Sequence, residues 1–254
     1  MSKTAVILSG QARTFRHTFR TLDFCLFRNL ENPVFFCSVA DDRQAPDMDL
    51  LRQRYEHVHV EYVRQPKDFP MPDRELGAHA GWIWHAPREA ILRQLWALGR
   101  GYAFFRERAG AAHGEFSHVV RCRPDLWAQE IILPTATSDG WTPQAGLPIG
   151  DNECWTPWWA TYGGVNDRMA IMGPTAALNY FGTFTHREKL WEIGCPLHPE
   201  TMLKASMEMH GVKIFPRLQA EFRICRFPDA EHPDPWLVKE QVHPHEFVNL
   251  LLSQ

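Results

Sequence analysis

Residues 4–16 read TAVILSGQARTFR, and this stretch decides the fold class. Its first five residues are apolar and rich in β-branched side chains, which predicts a buried strand. The strand is followed by a loop at Ser9-Gly10-Gln11, and apolar residues at helical spacing begin at Phe15. A buried strand, a loop and a helix in this order indicate an α/β domain.

The same alternation continues along the chain. Further strands are predicted at 34–39, 58–63, 118–123, 169–172, 212–215 and 222–226, and helices at 47–56, 87–108, 175–184 and 199–210. The second of these helices is expected to run on to Arg108, with a break near Gly99-Arg100-Gly101 as the alternative, and residues 126–164 show no regular pattern. Strands that alternate with helices predict a mixed, mainly parallel sheet with helices on both faces. No linker divides the chain, so residues 1–254 are interpreted as one domain.

The composition limits the classes of function. Apolar residues make up 44% of the 254 residues and charged residues 22%, and the net charge is −3. Such a chain lacks the basic surface expected of a protein that binds nucleic acid. It has no transmembrane segment and no signal-peptide cleavage site, although peripheral contact with a membrane stays compatible with the sequence. Six scattered cysteines fit a reducing compartment, which predicts a cytoplasmic protein.

The loop after the first strand is the first candidate for a ligand site. Gly10 allows a ligand to approach the backbone, Gln11 can read a base or a ribose, and Arg13 can bind phosphate. Ser9 lies at the point where the strand ends. Ligands of open α/β sheets bind beyond the carboxyl ends of the strands. A plain turn with solvated arginines is the equally weighted alternative.

The strand that ends in RCRPD is the second candidate. Its alternation places Arg121, Arg123 and Asp125 on one side, and Pro124 ends the ladder, so Asp125 is expected at the tip of the strand. A carboxylate beside two arginines suits a divalent cation, Mg²⁺ or Mn²⁺, or a ribose hydroxyl next to a diphosphate. The alternative is a surface ion pair of little energetic value.

Two further segments carry candidate ligand-binding or catalytic residues. Gly163 and Gly164 give a close backbone approach, and Asp167 follows them, which suits either a sugar-binding loop or an ordinary turn. Glu200 follows Pro199 at a predicted helix start, where the positive helix end favours an ionised carboxylate. Such a carboxylate either serves as a general base or only stabilises the start of the helix.

These motifs in this order resemble a family of bacterial and viral sugar transferases, the GT-A glycosyltransferases of surface-polysaccharide type. The matching stretches are 8–15, 29–42, 119–126, 166–173 and 198–214. The SGQxR loop at Ser9 to Arg13 and the RxRPD strand end at Arg121 to Asp125 are the most specific of them when taken together. It implies a GT-A-like, Rossmann-related fold with a nucleotide-binding part at about 1–126 and an acceptor part at about 127–254.

The resemblance also implies roles for the residues. The Ser9 to Arg13 loop would contact the nucleotide of a nucleotide-sugar donor, and Asp125 would take the place of the DxD carboxylates that hold a Mn²⁺ or Mg²⁺ ion. Arg123 replaces the first of those carboxylates. Gly163 and Gly164 would form the glycine loop, and Glu200 would be the catalytic carboxylate. Apart from the resemblance, Asp167 is the reserve candidate for that role, and a retaining route would need no such base. A carboxyl-terminal histidine would help to bind the metal, with His232, His243 and His245 as candidates.

The resemblance therefore predicts transfer of a sugar from a nucleotide-sugar donor to a glycan or another hydroxyl acceptor, with inversion at the anomeric carbon. A protein of the same fold that binds nucleotide sugars without turnover is the first alternative, because a fold does not imply a function. A metal-dependent phosphohydrolase is the weaker alternative, because the thirteen histidines lack zinc-site spacing.

Overall fold

The computed structural model describes residues 2–41, 48–71, 88–133 and 147–226, and the backbone of 236–238. The strands of this part are β1 (Lys3–Gly10), β2 (Pro33–Ala40), β3 (Val58–Val63), β4 (Phe116–Cys122), β5 (Leu126–Ile132), β6 (Glu153–Pro157), β7 (Met169–Met172), β8 (Lys213–Arg226) and β9 (Trp236–Val238). The α-helices are α1 (Phe15–Cys25), α2 (Asp49–Arg54), α3 (Arg88–Ala109), α4 (Pro174–Phe181), α5 (Thr183–Glu192) and α6 (Pro199–Met209). Short 3₁₀ helices lie at Phe27–Asn29 and Gly110–Glu115.

The strands form a mixed sheet in the order β3-β2-β1-β4-β7-β6-β8-β5, and β9 pairs with β8. The neighbours β3, β2, β1 and β4 are parallel to one another. The strand β7 is antiparallel to both β4 and β6, whereas β6 and β8 are parallel. The predicted α/β fold with a mixed, mainly parallel sheet is confirmed.

Apolar side chains cover both faces of the sheet. On β1, Ala5 and Ile7 belong to one buried cluster together with Leu95 of α3. Val6 and Leu8, on the opposite face, belong to a second cluster together with side chains of α1. Burying a large aliphatic or aromatic side chain stabilises a fold by about 1.5–3 kcal/mol, so the two clusters hold helices on both faces.

The helix α3 is continuous through Gly99, Arg100 and Gly101, so the predicted run to Arg108 is confirmed and the alternative of a break is not. Glycine at 101 is explained by packing rather than by a bend. A Cβ atom at this position would lie 2.8 Å from the Cβ of Ser9 and 3.1 Å from the Cγ2 of Ile7. The missing side chain allows α3 to approach β1 at the point where β1 reaches its loop.

Other predictions about elements are also corrected. Residues 126–164, which carry no regular local pattern, contain β5 and β6, and the strands predicted at 212–215 and 222–226 are the two ends of β8. The first part of β8 pairs with β6 and its last part with β5. These pairings join residues far apart in the sequence, so local periodicity does not reveal them. The helix predicted at 175–184 is likewise two helices, α4 and α5, that meet at Gly182.

All six cysteines lie in the described part of the chain, where each is buried and outside any disulfide. Burial in apolar surroundings raises the pKa of the Cys37 and Cys122 thiols to about 12. Thiols of this kind pack as small apolar groups and stay protonated at neutral pH. None of the described helices has both the length and the apolar composition that crossing a bilayer requires.

Candidate functional site

A pocket of about 380 Å³ opens at the carboxyl ends of the parallel strands. The strand β1 has β2 on one side and β4 on the other, and both are parallel to it. The chain connections therefore leave β1 and β4 in different directions, so the strand order reverses between these two strands. Open α/β sheets bind ligands in the crevice that forms at such a point. The loop after Gly10 and the residues after Cys122 supply much of the lining. The residues that line the pocket are Ser9, Gly10, Gln11, Arg13, Thr14, Gln65, Ala90, Arg93, Gln94, Ala97, Arg121, Arg123, Pro124, Asp125 and Cys225.

One face of α3 forms a wall of the pocket. Ala90, Arg93, Gln94 and Ala97 line it, and this spacing of three, four and seven residues marks one side of a helix. Side chains at Ile91, Leu92, Leu95 and Leu98 pack into the core instead. The amphipathic pattern of α3 therefore separates a side that builds the fold from a side that faces the pocket.

The pocket carries an excess of positive charge. Four arginines and one carboxylate line it, namely Arg13, Arg93, Arg121, Arg123 and Asp125. Guanidinium groups bind phosphate and carboxylate with paired hydrogen bonds, and a recessed site strengthens these contacts because water screens them less. The lining therefore suits an anionic ligand.

Arg121 is the most unusual of these arginines because it is only 2% exposed. Its Nη1 donates to the carbonyl oxygen of Cys122 at 2.7 Å, and its Nε has no hydrogen-bond partner in the described part of the chain. Burial lowers the pKa of Arg121. Because an unpartnered buried donor is costly, a bound anion would satisfy a group that the protein alone leaves unsatisfied.

The loop after β1 adds a second group of this kind. The hydroxyl of Ser9 is buried and has no hydrogen-bond partner among the described residues. Gly10 has a φ of 103°, a left-handed conformation that favours glycine, and turns the chain at the pocket. Beyond it, the exposed Arg13 donates from Nη2 to the Oε1 of Gln11. The predicted SGQxR loop thus presents polar groups to the pocket, as its sequence suggests.

Arg123 and Asp125 form a paired contact at the end of β4. The Nε and Nη2 of Arg123 donate to the two carboxylate oxygens of Asp125 at 2.8 and 2.7 Å. Both side chains are largely buried, so the pair is more than the weak surface contact considered from the sequence. It fixes the guanidinium group at the edge of the pocket.

The described residues do not fit a divalent cation at Asp125. Both oxygens of this carboxylate accept from Arg123, and Mg²⁺ or Mn²⁺ requires several oxygen ligands. Within 2–41, 48–71, 88–133 and 147–226, no group of three or more histidine, cysteine, aspartate or glutamate side chains is placed to hold a metal ion. His232, His243 and His245 lie outside the described residues. At this end of β4 the positive charge comes from arginine.

Asp167 is buried behind the pocket, with 4% of its surface exposed. Its Oδ2 accepts a hydrogen bond from the Nε2 of Gln94, a residue that lines the pocket. Its Oδ1 lies 3.9 Å from the Nη1 of Arg168 and has no hydrogen-bond partner in the described part of the chain. Asn166 shapes the local backbone, because its side chain donates to the carbonyl oxygen of Trp159 at 2.9 Å and accepts from the N–H of Arg168 at 3.0 Å.

Glu200 lies in the first turn of α6, as predicted, but it is 2% exposed and does not line the pocket. Its Oε2 lies 3.2 Å from the Nδ1 of His198. Burial, and next the negative charge of Asp167, raise the pKa of Glu200 to about 9. Desolvation and the charge of Asp167 thus oppose the ionised carboxylate that the helix end favours.

The two glycines before Asp167 have a structural explanation. A Cβ atom on Gly164 would lie 2.0 Å from the carbonyl carbon and oxygen of Glu200, so only glycine fits against the start of α6. The N–H of Val165 donates to the same carbonyl oxygen at 3.1 Å. Gly163 has a φ of 80°, which also favours glycine. The glycines hold the loop that carries Asp167 against the helix that carries Glu200.

The structure thus divides the predicted residues between two neighbouring places. Those in the pocket are Ser9, Gly10, Gln11, Arg13, Arg121, Arg123 and Asp125, whereas Gly163, Gly164, Asp167 and Glu200 are not in its lining. Gln65, Arg93 and Gln94 line the pocket but are absent from the prediction from sequence. For Arg93 and Gln94 the signal is the polar side of α3, which the sequence cannot orient toward a ligand, and Gln65, which follows β3, carries no such signal.

No protein-family model matches this sequence, and no curated protein is similar to it. Among solved structures, the apo form of mouse xyloside xylosyltransferase 1 is similar over 84% of this chain and 83% of its own, at 9% sequence identity and a TM-score of 0.35. That structural neighbour is, by its name, a xylosyltransferase. A likeness of this size carries no argument about the activity of this chain.

Proposed function

We propose that this protein is a glycosyltransferase that binds a nucleotide-sugar donor in the pocket and transfers the sugar to a hydroxyl group. The observation that carries the proposal is Arg121, a buried cation in the pocket lining whose Nε has no hydrogen-bond partner among the described residues. Arg123 and Arg13 line the same pocket. This arrangement suits the diphosphate of a nucleotide sugar better than a neutral ligand.

The arginines would also serve the reaction. When the bond between the anomeric carbon and the diphosphate breaks, negative charge accumulates on the leaving oxygen. Fixed donors aimed at that charge lower the barrier more than they favour the bound donor substrate. Arg123 suits this role because Asp125 holds its guanidinium group in place.

Asp167 and Glu200 are the carboxylates available for proton transfer behind the pocket. In an inverting displacement, the acceptor hydroxyl gives its proton to a carboxylate as its oxygen attacks the anomeric carbon, and the nucleoside diphosphate leaves with the bonding electrons. With a pKa of about 9, Glu200 would be a strong base once ionised. Asp167 is closer to the pocket through Gln94 and is the second candidate.

Binding of a nucleotide sugar without turnover is the competing function. It is favoured by the absence of Asp167 and Glu200 from the pocket lining. A metal-dependent phosphohydrolase has less support, because the described residues offer no set of three metal ligands.

Thermal shift measurements with UDP-, GDP-, CMP- and dTDP-sugars test the proposal, since a ligand that binds only the native state raises its melting temperature. Release of the nucleotide from the best ligand (the nucleoside diphosphate, or CMP from a CMP-sugar), with and without a mixture of glycan acceptors, then separates enzyme from binding protein. We expect a shift with one base and faster release with acceptor. No shift with any nucleotide would refute the proposal, and a shift without release would favour the binding protein.

A further inference from the structure

Gln94 connects the pocket to the buried carboxylate of Asp167. It is the residue on the pocket side of α3 that also donates, from its Nε2, to the Oδ2 of Asp167. Asp167 itself is almost fully buried and does not line the pocket. In this arrangement a ligand in the pocket reaches Asp167 through the side chain of Gln94.

The contact with Asp167 also decides which chemistry Gln94 offers. A side-chain amide has an NH₂ group that only donates and a carbonyl oxygen that only accepts hydrogen bonds. Because one N–H of the amide donates to a carboxylate oxygen, the amide keeps its carbonyl oxygen and one N–H for a ligand. The carbonyl oxygen is the acceptor that a hydroxyl group can reach. An acceptor oxygen repels phosphate and suits a hydroxyl group, whereas the arginines of the pocket suit phosphate.

We propose that Gln94 is a specificity-determining residue whose carbonyl oxygen accepts a hydrogen bond from a hydroxyl of the donor sugar while Asp167 fixes its orientation. This inference rests on the proposed function, since it assumes a nucleotide sugar in the pocket. Gln94 then marks the boundary between the part of the pocket that binds the diphosphate and the part that recognises the sugar. Asp167 acts through Gln94 as a positioning residue.

Gln94→Met tests the proposal, because methionine keeps the length of the side chain and its place on a helix but removes both polar groups. Calorimetry would compare UDP with UDP-glucose, GDP with GDP-mannose and dTDP with dTDP-glucose. We expect the variant to bind the nucleoside diphosphate within about twofold of wild type. It should lose about tenfold in affinity for the matching nucleotide sugar, the effect of one hydrogen bond at the upper end of its usual range.

Gln53→Met is the matched control, because Gln53 is also a glutamine on a helix but does not line the pocket. It should bind both members of each pair as wild type does. Gln94→Ala is the second variant should methionine disturb folding, since alanine favours a helix. Asp167→Asn should reproduce the selective loss, because an amide at 167 no longer holds Gln94 in one orientation.

The outcomes separate this inference from the proposed function. Equal losses for diphosphate and sugar nucleotide, or no loss at all, would show that Gln94 only joins α3 to the segment of Asp167. If the wild type binds each nucleotide sugar no more tightly than the matching nucleoside diphosphate, the inference is overturned and the proposed nucleotide site stands. Failure of the wild type to bind any nucleotide overturns both.

Discussion

Arg121 carries the energetic argument at the scale of single residues. A guanidinium group that is 2% exposed, with an Nε that no described residue contacts by a hydrogen bond, is costly for the free protein. Binding of an anion recovers part of that cost. The same group is therefore unfavourable for the empty fold and favourable for the liganded state, which is common at functional sites.

Replacing this arginine should weaken binding without loss of the fold. We expect Arg121→Met to lower the affinity for the nucleoside diphosphate by about 10- to 150-fold, the value of one charge-assisted hydrogen bond of about 1.5–3 kcal/mol. Titration calorimetry measures the affinity, and thermal denaturation shows that the variant is folded. Arg168→Met is the matched control, because Arg168 is also buried but does not line the pocket. Similar affinities of the two variants would contradict the role of Arg121.

Glu200 makes stability depend on pH. Its pKa is about 9 in the native state, through burial and the charge of Asp167, against an ordinary value of 4.5. Between these two values the unfolded chain has lost the proton that the native state keeps. The free energy of unfolding therefore falls as pH rises, by up to about 1.4 kcal/mol per pH unit from this group.

Glu200→Gln removes this dependence, because glutamine is neutral at every pH. We expect the variant to gain stability relative to wild type as pH rises from 5 to about 9, as measured by urea denaturation at several pH values. If Glu200 is also the general base, turnover of wild type should rise with pH over the same range and turnover of the variant should stay low. Parallel stability curves would show that Glu200 is not protonated in the native state.

The helix α3 joins the fold to the site at the scale of elements. Its apolar side packs on the sheet, and its other side lines the pocket. Gly101 sets its distance from β1, because a Cβ there would meet Ser9, which also lines the pocket. The position of this helix therefore controls the shape of the site.

Replacement of two glycines of α3 by alanine should change the stability of the protein in opposite directions. A Cβ at Gly99 would have an ordinary contact of 3.4 Å with the carbonyl oxygen of Phe181, so Gly99→Ala should stabilise the protein by up to about 1 kcal/mol through helix propensity. Gly101→Ala should instead destabilise it by about 1–3 kcal/mol, since Ser9 or α3 must move. Chemical denaturation compares the two, and equal gains would mean that α3 is not held closely against β1.

At the scale of the whole molecule, the pocket depends on the order of the strands. The switch between β1 and β4 brings together residues 9–13 and 121–125, which are more than a hundred positions apart, and α3 closes the third side. The charge of this assembled site comes from arginines, and Asp125 is already engaged by one of them.

Nucleotide binding should therefore not need a divalent cation. A nucleoside diphosphate at a hundred times its Kd should stabilise the protein by about 2.7 kcal/mol, and we expect the same melting temperature shift with EDTA as with MgCl₂ or MnCl₂. Arg123→Ala removes the two hydrogen bonds that Arg123 donates to Asp125 and serves as the comparison. A shift in wild type that disappears with EDTA would mean that a cation joins the ligand in the pocket.

Much of the parallel half of the fold follows from local sequence. Local sequence predicts the strands β1, β2, β3 and β4 from their apolar runs, and the helix after Phe15 from its helical spacing. Hydrophobic periodicity and the content of β-branched residues both reflect local conformation. The strand ends also predict one wall of the pocket, since Ser9 to Arg13 and Arg121 to Asp125 follow adjacent parallel strands.

By itself the sequence determined the α/β class, the elements around β1 and the strand-end residues of the pocket, because these depend on local periodicity. Only the tertiary structure decided the pairing of β5 and β6 with β8, the pocket side of α3 and the burial of Glu200. A helix start by itself favours an ionised carboxylate, and only packing reveals that burial and Asp167 oppose it. In the same way Gln94 is an ordinary polar residue of a helix until the fold places Asp167 beside it.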